Sequence, residues 1–231
     1  MRTQMMIMLI VTTILLAAVM AWVGLAWWLG STAATAWWVG LAALLVGLYL
    51  WVIKPWHLRW GASDAEVARE MPGDDLIPGA KPATRAITIK APADDVWPWL
   101  VQIGFGKAGW YSYDWIDNDF RPSAARIIPE YQNLGVGDPI LMMPDMGFVV
   151  QSIDRPHAIV SLLEDGSTSW CLGLYPCDGG TRLVSRWRPN FEMTPATFFM
   201  SVLAEPGTFI MEQKMLRNIR DRAEARSGAR R

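Results

Sequence analysis

The stretch "TRAITIKAPADDVWPWLVQIG" (84–104) changes its hydrophobic period in the middle. "TRAITIK" (84–90) alternates and is rich in β-branched residues, the pattern of a strand with one buried face. From Ala91 the alternation stops. Val96, Leu100 and Val101 then recur on one side of a helix, with Pro98 near its first turn. Working outward, five more strand-like runs follow: "DPILMMP" (138–144), "GFVVQSID" (147–154), "HAIVSLLE" (157–164), "TSWCLGLYP" (168–176) and "TRLVSRWRP" (181–189). Turn signals such as "DMG", "DRP", "EDGS" and "CDGG" separate them. The tail from Pro195 predicts a short helix, a break at Glu205-Pro206-Gly207, and a long helix. One strand, two helices, a run of antiparallel strands and a long terminal helix is an α+β order. A curved antiparallel sheet wrapped around a long C-terminal helix accommodates it.

The remainder of the chain has a different character. Of its 231 residues 52% are hydrophobic, and the excess is concentrated at one end. From Thr3 through Ile53 there is no Asp, Glu, Lys or Arg. Two apolar runs, 5–30 and 36–53, are each long enough to cross a bilayer, which needs about 20 apolar residues or slightly fewer. Joined only by "STAAT", they predict a transmembrane helical hairpin over 1–55. The rival, a cleaved signal peptide, requires an apolar segment much shorter than this one. Trp27, Trp28, Trp37 and Trp38 cluster at the hairpin tip, and Trp51, Trp56 and Trp60 at its exit, as indoles do at headgroup level. Arg2, Lys54, His57 and Arg59 flank the hairpin and the connecting loop has no charge, so both termini and the globular part are expected in the cytoplasm. The expected divisions are 1–55, a juxtamembrane helix and linker over 56–83, a globular domain over 84–226 and a basic tail over 227–231. Within the linker region, Ser63 and Glu66 have capping-box spacing, and "PGDDLIPGAKPA" (72–83) has turn and linker composition.

The formal net charge of −1 gives no case for a nucleic-acid partner. Two cysteines and two histidines, with no metal-ligand spacing among them, give no case for a metal or another cofactor. Cys171 and Cys177 are expected to be small apolar fillers.

The opening "TRAITIKAPADDVWPWLVQIG", the stretch "GWYSYDWIDN" (109–118) and the closing "EPGTFIMEQKMLRNIRDRAE" (205–224) together resemble the SRPBCC superfamily over residues 84–226. More narrowly, the chain is similar to membrane-anchored bacterial members of its polyketide cyclase/dehydrase-like group. The resemblance implies the START-type helix-grip fold and a deep, mostly apolar cavity between sheet and terminal helix. It implies no single reaction, because a fold does not settle a function, and it carries over no catalytic residue.

Candidate site residues come from periodicity. At 100° per residue, Phe209, Met211, Met215, Leu216, Ile219 and Ala223 form an apolar stripe with Glu212 near its middle. Glu212 is therefore expected to face the sheet, as a cavity acid with a raised pKa or as one half of an ion pair. "GWYSYDWIDNDF" (109–120) predicts an amphipathic helix with Trp110, Asp114 and Asp117 on one face and Tyr113, Ile116 and Phe120 beside them. Asp114 and Asp117 join Glu212 as catalytic candidates. Tyr113, Trp170, Leu172, Leu174, Leu183, Trp187, Met211, Met215 and Glu212 are the expected ligand-binding set. Arg182, Arg186 and Arg188 share one face of the last strand, expected as a solvated edge, or, in the opposite register, as partners for Glu212. Met142, Met143 and Met146 surround a hairpin and would fill core or give an adaptable pocket wall. The function expected is binding of a small hydrophobic or lipid-like ligand at the cytoplasmic membrane face. A cyclase- or dehydratase-like enzyme using a cavity carboxylate, and a membrane scaffold, are the alternatives.

Overall fold

The structure, a computed structural model, describes residues 2–190 and 194–229; Arg230 and Arg231 of the expected basic tail lie outside them. The chain forms two compact units, 1–55 and 56–231. The first contains α1 (Arg2–Leu29) and α2 (Ser31–Leu48). Gly30, with φ of 84°, makes the turn between them. Both helices are long and apolar enough to cross a membrane, and their side chains in 12–48 are largely exposed. The second run continues beyond the expected Ile53. A wide π-helical turn (Tyr49–Ile53) leads into α3 (Lys54–Leu58), giving one apolar helical segment from Ser31 to Leu58.

The second unit begins with α4 (Asp64–Ala68), which has the expected capping box. The Ser63 hydroxyl accepts from Glu66 N at 3.2 Å, and the Glu66 carboxylate accepts from Ser63 N at 2.7 Å. Then come β1 (Ala83–Ile89), α5 (Ala93–Val101), α6 (Asp114–Asp117), β2 (Pro139–Met143), β3 (Met146–Asp154), β4 (Ala158–Leu163), β5 (Thr168–Cys177), β6 (Gly180–Pro189) and α7 (Pro195–Gly228). The strands form one antiparallel sheet in the order β1-β6-β5-β4-β3-β2. The sheet curls around α7, whose Met215, Leu216, Ile219 and Ala223 are buried in the same core as Trp170, Leu172, Leu174 and Leu183. This is the expected helix-grip arrangement.

Three expectations require correction. The amphipathic helix over 109–120 is only the four residues of α6. Tyr111, Asp119 and Phe120 have positive φ (55°, 50° and 63°), which no α-helix admits. Trp110 is therefore off the helix, and Phe120 is exposed rather than part of an apolar face. Secondly, α7 runs unbroken through Pro206. Proline removes one backbone donor, and a single loss in a long helix is bridged by its neighbours. Thirdly, Arg182, Arg186 and Arg188 do face away from α7, but β6 is interior to the sheet and they are not a solvated edge. Residues 61–77, read from composition as helix and linker, lie across them as a strap.

The strap is held by charge. Arg182 donates to Glu66 at 2.6 Å and to the Gly61 carbonyl. Arg186, 2% exposed, donates to Asp74 at 2.7 Å, to Thr84 and to the carbonyls of Glu66, Val67 and Arg69. Arg188 reaches Asp74 and the Ile77 carbonyl. Beneath the strap a second small core gathers Met71, Ala86, Val160, Cys171 and Val184. Gly61 sits so close to β1 that a Cβ would meet the Ala86 carbonyl oxygen at 2.2 Å. Burial, reinforced by the charge of Asp74, pushes the Cys171 thiol up to about 12, so it is the inert filler expected.

Candidate functional site

The inner face of the sheet carries both apolar and charged side chains. Alternation along β6 turns Leu183, Ser185 and Trp187 towards α7, and alternation along β1 turns Arg85, Ile87 and Ile89 the same way. On α7, Glu212 falls inside the apolar stripe as expected and is 6% exposed. Its partner is Arg85, 5% exposed, whose guanidinium donates to one carboxylate oxygen. The other oxygen accepts from the Ser185 hydroxyl at 2.5 Å, and Ser185 in turn accepts from the Trp170 indole N–H at 2.9 Å. Arg85 Nε donates to the His57 carbonyl at 2.9 Å. The Phe209 ring closes this chain, with the Arg85 guanidinium 5.3 Å from its centre and the buried His57 ring stacked on it at 5.3 Å. Glu212 is thus not an isolated cavity acid. It is one half of a buried ion pair that ties α7 to β1, β6 and the residues after the apolar hairpin. None of Arg182, Arg186 and Arg188 takes part.

Arg85 was missed in the sequence, although the signal was present. In "TRAITIK" the period of two that buries Ile87 and Ile89 also buries Arg85, and an inward arginine requires an inward acid.

Most of the expected ligand-binding residues are brought together; Tyr113 and Met211 are not among them. Trp170, Leu172, Leu174, Leu183 and Met215 are buried in one core, with Trp187 and Met142 partly buried against it. Aromatic rings, rather than the expected deep apolar cavity, occupy the middle of the space between sheet and α7. Trp170 lies 5.1 Å from Trp187, 5.6 Å from Phe148 and 5.7 Å from Trp110, and Phe148 lies 5.2 Å from Trp187. Trp110 entered this cluster because it left the predicted helix. The Trp187 indole nitrogen is buried and has no hydrogen-bond partner among the described residues. Tyr113 lies away from these rings, beneath the Lys214 ammonium at 3.9 Å. Met211 is partly buried, and its carbonyl accepts from the Ser112 hydroxyl at 2.9 Å. The hairpin methionines divide: Met142 packs on the core, whereas Met143 and Met146 are exposed.

The loop at 109–123 holds the two aspartates differently. Asp114 is satisfied by Ser123, whose backbone N–H donates at 3.0 Å and whose hydroxyl donates at 2.5 Å. Both oxygens of Asp117 are buried with no partner in full hydrogen-bond geometry. Burial, then the charge of Asp114, push the Asp117 carboxyl up to about 6 against a weaker opposing pull from Ser112 and nearby backbone N–H groups. Gly109, at φ of 80°, is required here, since a Cβ would meet the Ser123 hydroxyl at 2.4 Å. Tyr111 is buried. Its phenol oxygen accepts from Gln102 Nε2 at 2.7 Å, and Asn218 of α7 donates to its carbonyl at 2.7 Å, which docks the loop onto the helix. No group of three or more metal-ligating side chains occurs among the described residues.

Six antiparallel strands gripping one long terminal helix define the domain. Its fold is the helix-grip fold. Several solved structures are similar to it. KanY, determined by NMR, is 13% identical, with 63% of this chain and 99% of that one aligned at a TM-score of 0.44. A polyketide-cyclase-like protein from Corynebacterium glutamicum is 16% identical over 62% of this chain and 91% of that one, with a TM-score of 0.36. An AHSA1-like protein from Aeromonas hydrophila is 17% identical over 62% and 92%, also at 0.36. At these identities the likeness is one of fold alone. No family profile matches the chain, and no curated protein matches it.

Proposed function

We propose that this is a membrane-anchored helix-grip domain that binds a small apolar molecule carrying one hydrogen-bond acceptor. The observation that carries the reading is Trp187. Its ring is part of an aromatic wall with Phe148 and Trp170, it is only partly buried, and its indole N–H has no partner. A buried donor left unpaired costs about 1–3 kcal/mol. A ligand that turns Trp187 outward, lies against Phe148 and Trp170 and offers the indole an oxygen recovers that cost. Apolar walls with a few convergent polar groups are the usual composition of small-molecule sites. Two apolar helices at the N-terminal end would keep such a site beside the phase in which apolar ligands concentrate.

The ion pair at Glu212 supports the wall rather than the chemistry, because it holds Ser185 under Trp170. A catalytic reading has one observation in its favour, the Asp117 carboxyl raised to about 6, close to the pH at which a proton is readily exchanged. The binding reading is preferred because Asp117 is on the 109–123 loop and not among the aromatic rings.

The test is extraction of the full chain from its native membrane, followed by mass spectrometry of organic compounds that accompany it. The expected result is one apolar, oxygen-bearing compound in near-stoichiometric amount with the wild type and reduced by Trp187→Phe, which keeps an aromatic ring but removes the unpaired N–H. Equal lipid content in both proteins would overturn the proposal.

A further inference from the structure

The charges along α7 are unevenly distributed. Between Met193 and Met211 the only charged residue is Glu205, whereas Lys214, Arg217, Arg220, Asp221, Arg222, Glu224 and Arg226 crowd the second half. Exposure follows the same division. In the second half the exposed positions include Arg217 and Asp221; in the first, among the described residues, they are Pro195, Ala204, Gly207, Thr208 and Ile210, the last 50% exposed. A helix that faces water normally has polar residues on its outer side along its whole length. The uncharged outer face ends where Phe209 meets the residues that follow the hairpin. The Trp56 ring, 57% exposed, lies 5.3 Å from Phe209 edge-on, and His57 stacks on Phe209 from another side. Trp56 and His57 belong to the last turn of the apolar helical segment that ends at Leu58.

From these observations we infer that the outer face of α7 around Ile210, together with Trp56, rests on the lipid headgroup–acyl boundary. The inference rests on the membrane-anchored reading above and adds to it a second contact, made by the domain itself. Its occupant is the bilayer because the patch is continuous, through Phe209, with the end of the apolar segment. A half-exposed indole at such a segment's end is the side chain that prefers headgroup level. Lys214 and Arg217, one and two turns further along α7, follow the apolar face in the order expected for cations that reach back to lipid phosphates. Arg217 lies with its guanidinium 5.3 Å from the Trp60 ring, in the same neighbourhood.

The experiment places a nitroxide at Ile210→Cys in the full chain, in a Cys177→Ser background, reconstituted into phosphatidylethanolamine/phosphatidylglycerol vesicles. Cys171 is buried and does not compete for label. Collision rates with oxygen, which concentrates in lipid, and with a water-soluble nickel chelate are compared at three positions. Leu44→Cys reports on the apolar helix and Asp221→Cys on the water-facing half of α7. The expected result is a several-fold lower nickel rate at 210 than at 221, with an oxygen rate approaching that at 44. A nickel rate at 210 equal to that at 221 overturns the inference while leaving the anchor intact. Low rates for both reagents at 210 also overturn it, because the face is then covered by protein. Lipid-type collisions absent at 44 overturn the anchored reading itself, and the inference with it.

Discussion

Glu212→Gln removes the counter-charge from a guanidinium that is 5% exposed. Breaking a buried pair from one side costs about 3–5 kcal/mol, because the remaining ion is left without compensation. Denaturant unfolding followed by tryptophan fluorescence should show a loss of that size, with most of it regained in Glu212→Gln/Arg85→Met. A neutral Glu212→Gln would mean that the pair does not hold α7. Asp117 should behave in the opposite way. Its folded pKa of about 6 lies above its ordinary 3.8, so the folded state binds more protons across that window and stability falls as pH rises through it. Asp117→Asn is therefore expected to match the wild type near pH 4 and to exceed it at pH 7. The gain should be about 1 kcal/mol once screening at a partly exposed site is allowed for. An equal gap at both pH values would show that the carboxyl is not perturbed. At this scale the sequence was legible where one period governed one residue. The helical angle placed Glu212 inside. The strand period placed Arg85 inside as well, and the pair went unseen because the two residues are 127 positions apart and only the fold brings them together.

The six strands were visible as separate elements because alternation and turn residues repeat locally. The 109–123 loop was not, because its shape is set by left-handed residues and by Ser123, Gln102 and Asn218 reaching it from elsewhere. The strap at 61–77 was hidden for a related reason. Its Pro, Gly and Asp content is that of a linker, and only the arginines on β6 convert it into a docked element. Burial raises the Glu66 carboxyl, but hydrogen bonds from Arg182 and Ser63 outweigh this and hold it at about 2, below its ordinary 4.5. That contribution to stability is fully present above about pH 4.5 and is lost as pH falls towards 2. The strap should therefore stay docked at every pH at which a cell lives. Arg186→Met is the change that releases it, since Asp74 and three carbonyls lose their donor together. Hydrogen exchange in 61–77 should accelerate strongly, with little change in β3 and β4. Unchanged protection in 61–77 would mean that the small core under the strap holds it without charge.

At the scale of the whole molecule, the anchored reading makes a claim about sidedness. Arg2 precedes the first apolar helix and Lys54 and Arg59 follow the second, whereas the turn between them at Gly30 and Ser31 has no charge within reach. Cationic flanks stay on the cytoplasmic side and an uncharged turn crosses at little cost. Both ends of the hairpin, and so the helix-grip domain, are then inside. The uneven distribution of tryptophan agrees. Trp27, Trp28 and Trp37 are exposed around the turn and Trp51 and Trp56 near the exit, giving two belts separated by aliphatic surface. Single cysteines at Thr32 and Gly228, both exposed, test this in intact cells once Cys177 is replaced by Ser. An impermeant maleimide should label the Thr32 position from outside and spare Gly228 until the membrane is opened. Labelling at Gly228 alone would put the domain on the outer face. Labelling at both would mean that the second helix does not cross, and the domain would then lie outside together with the turn.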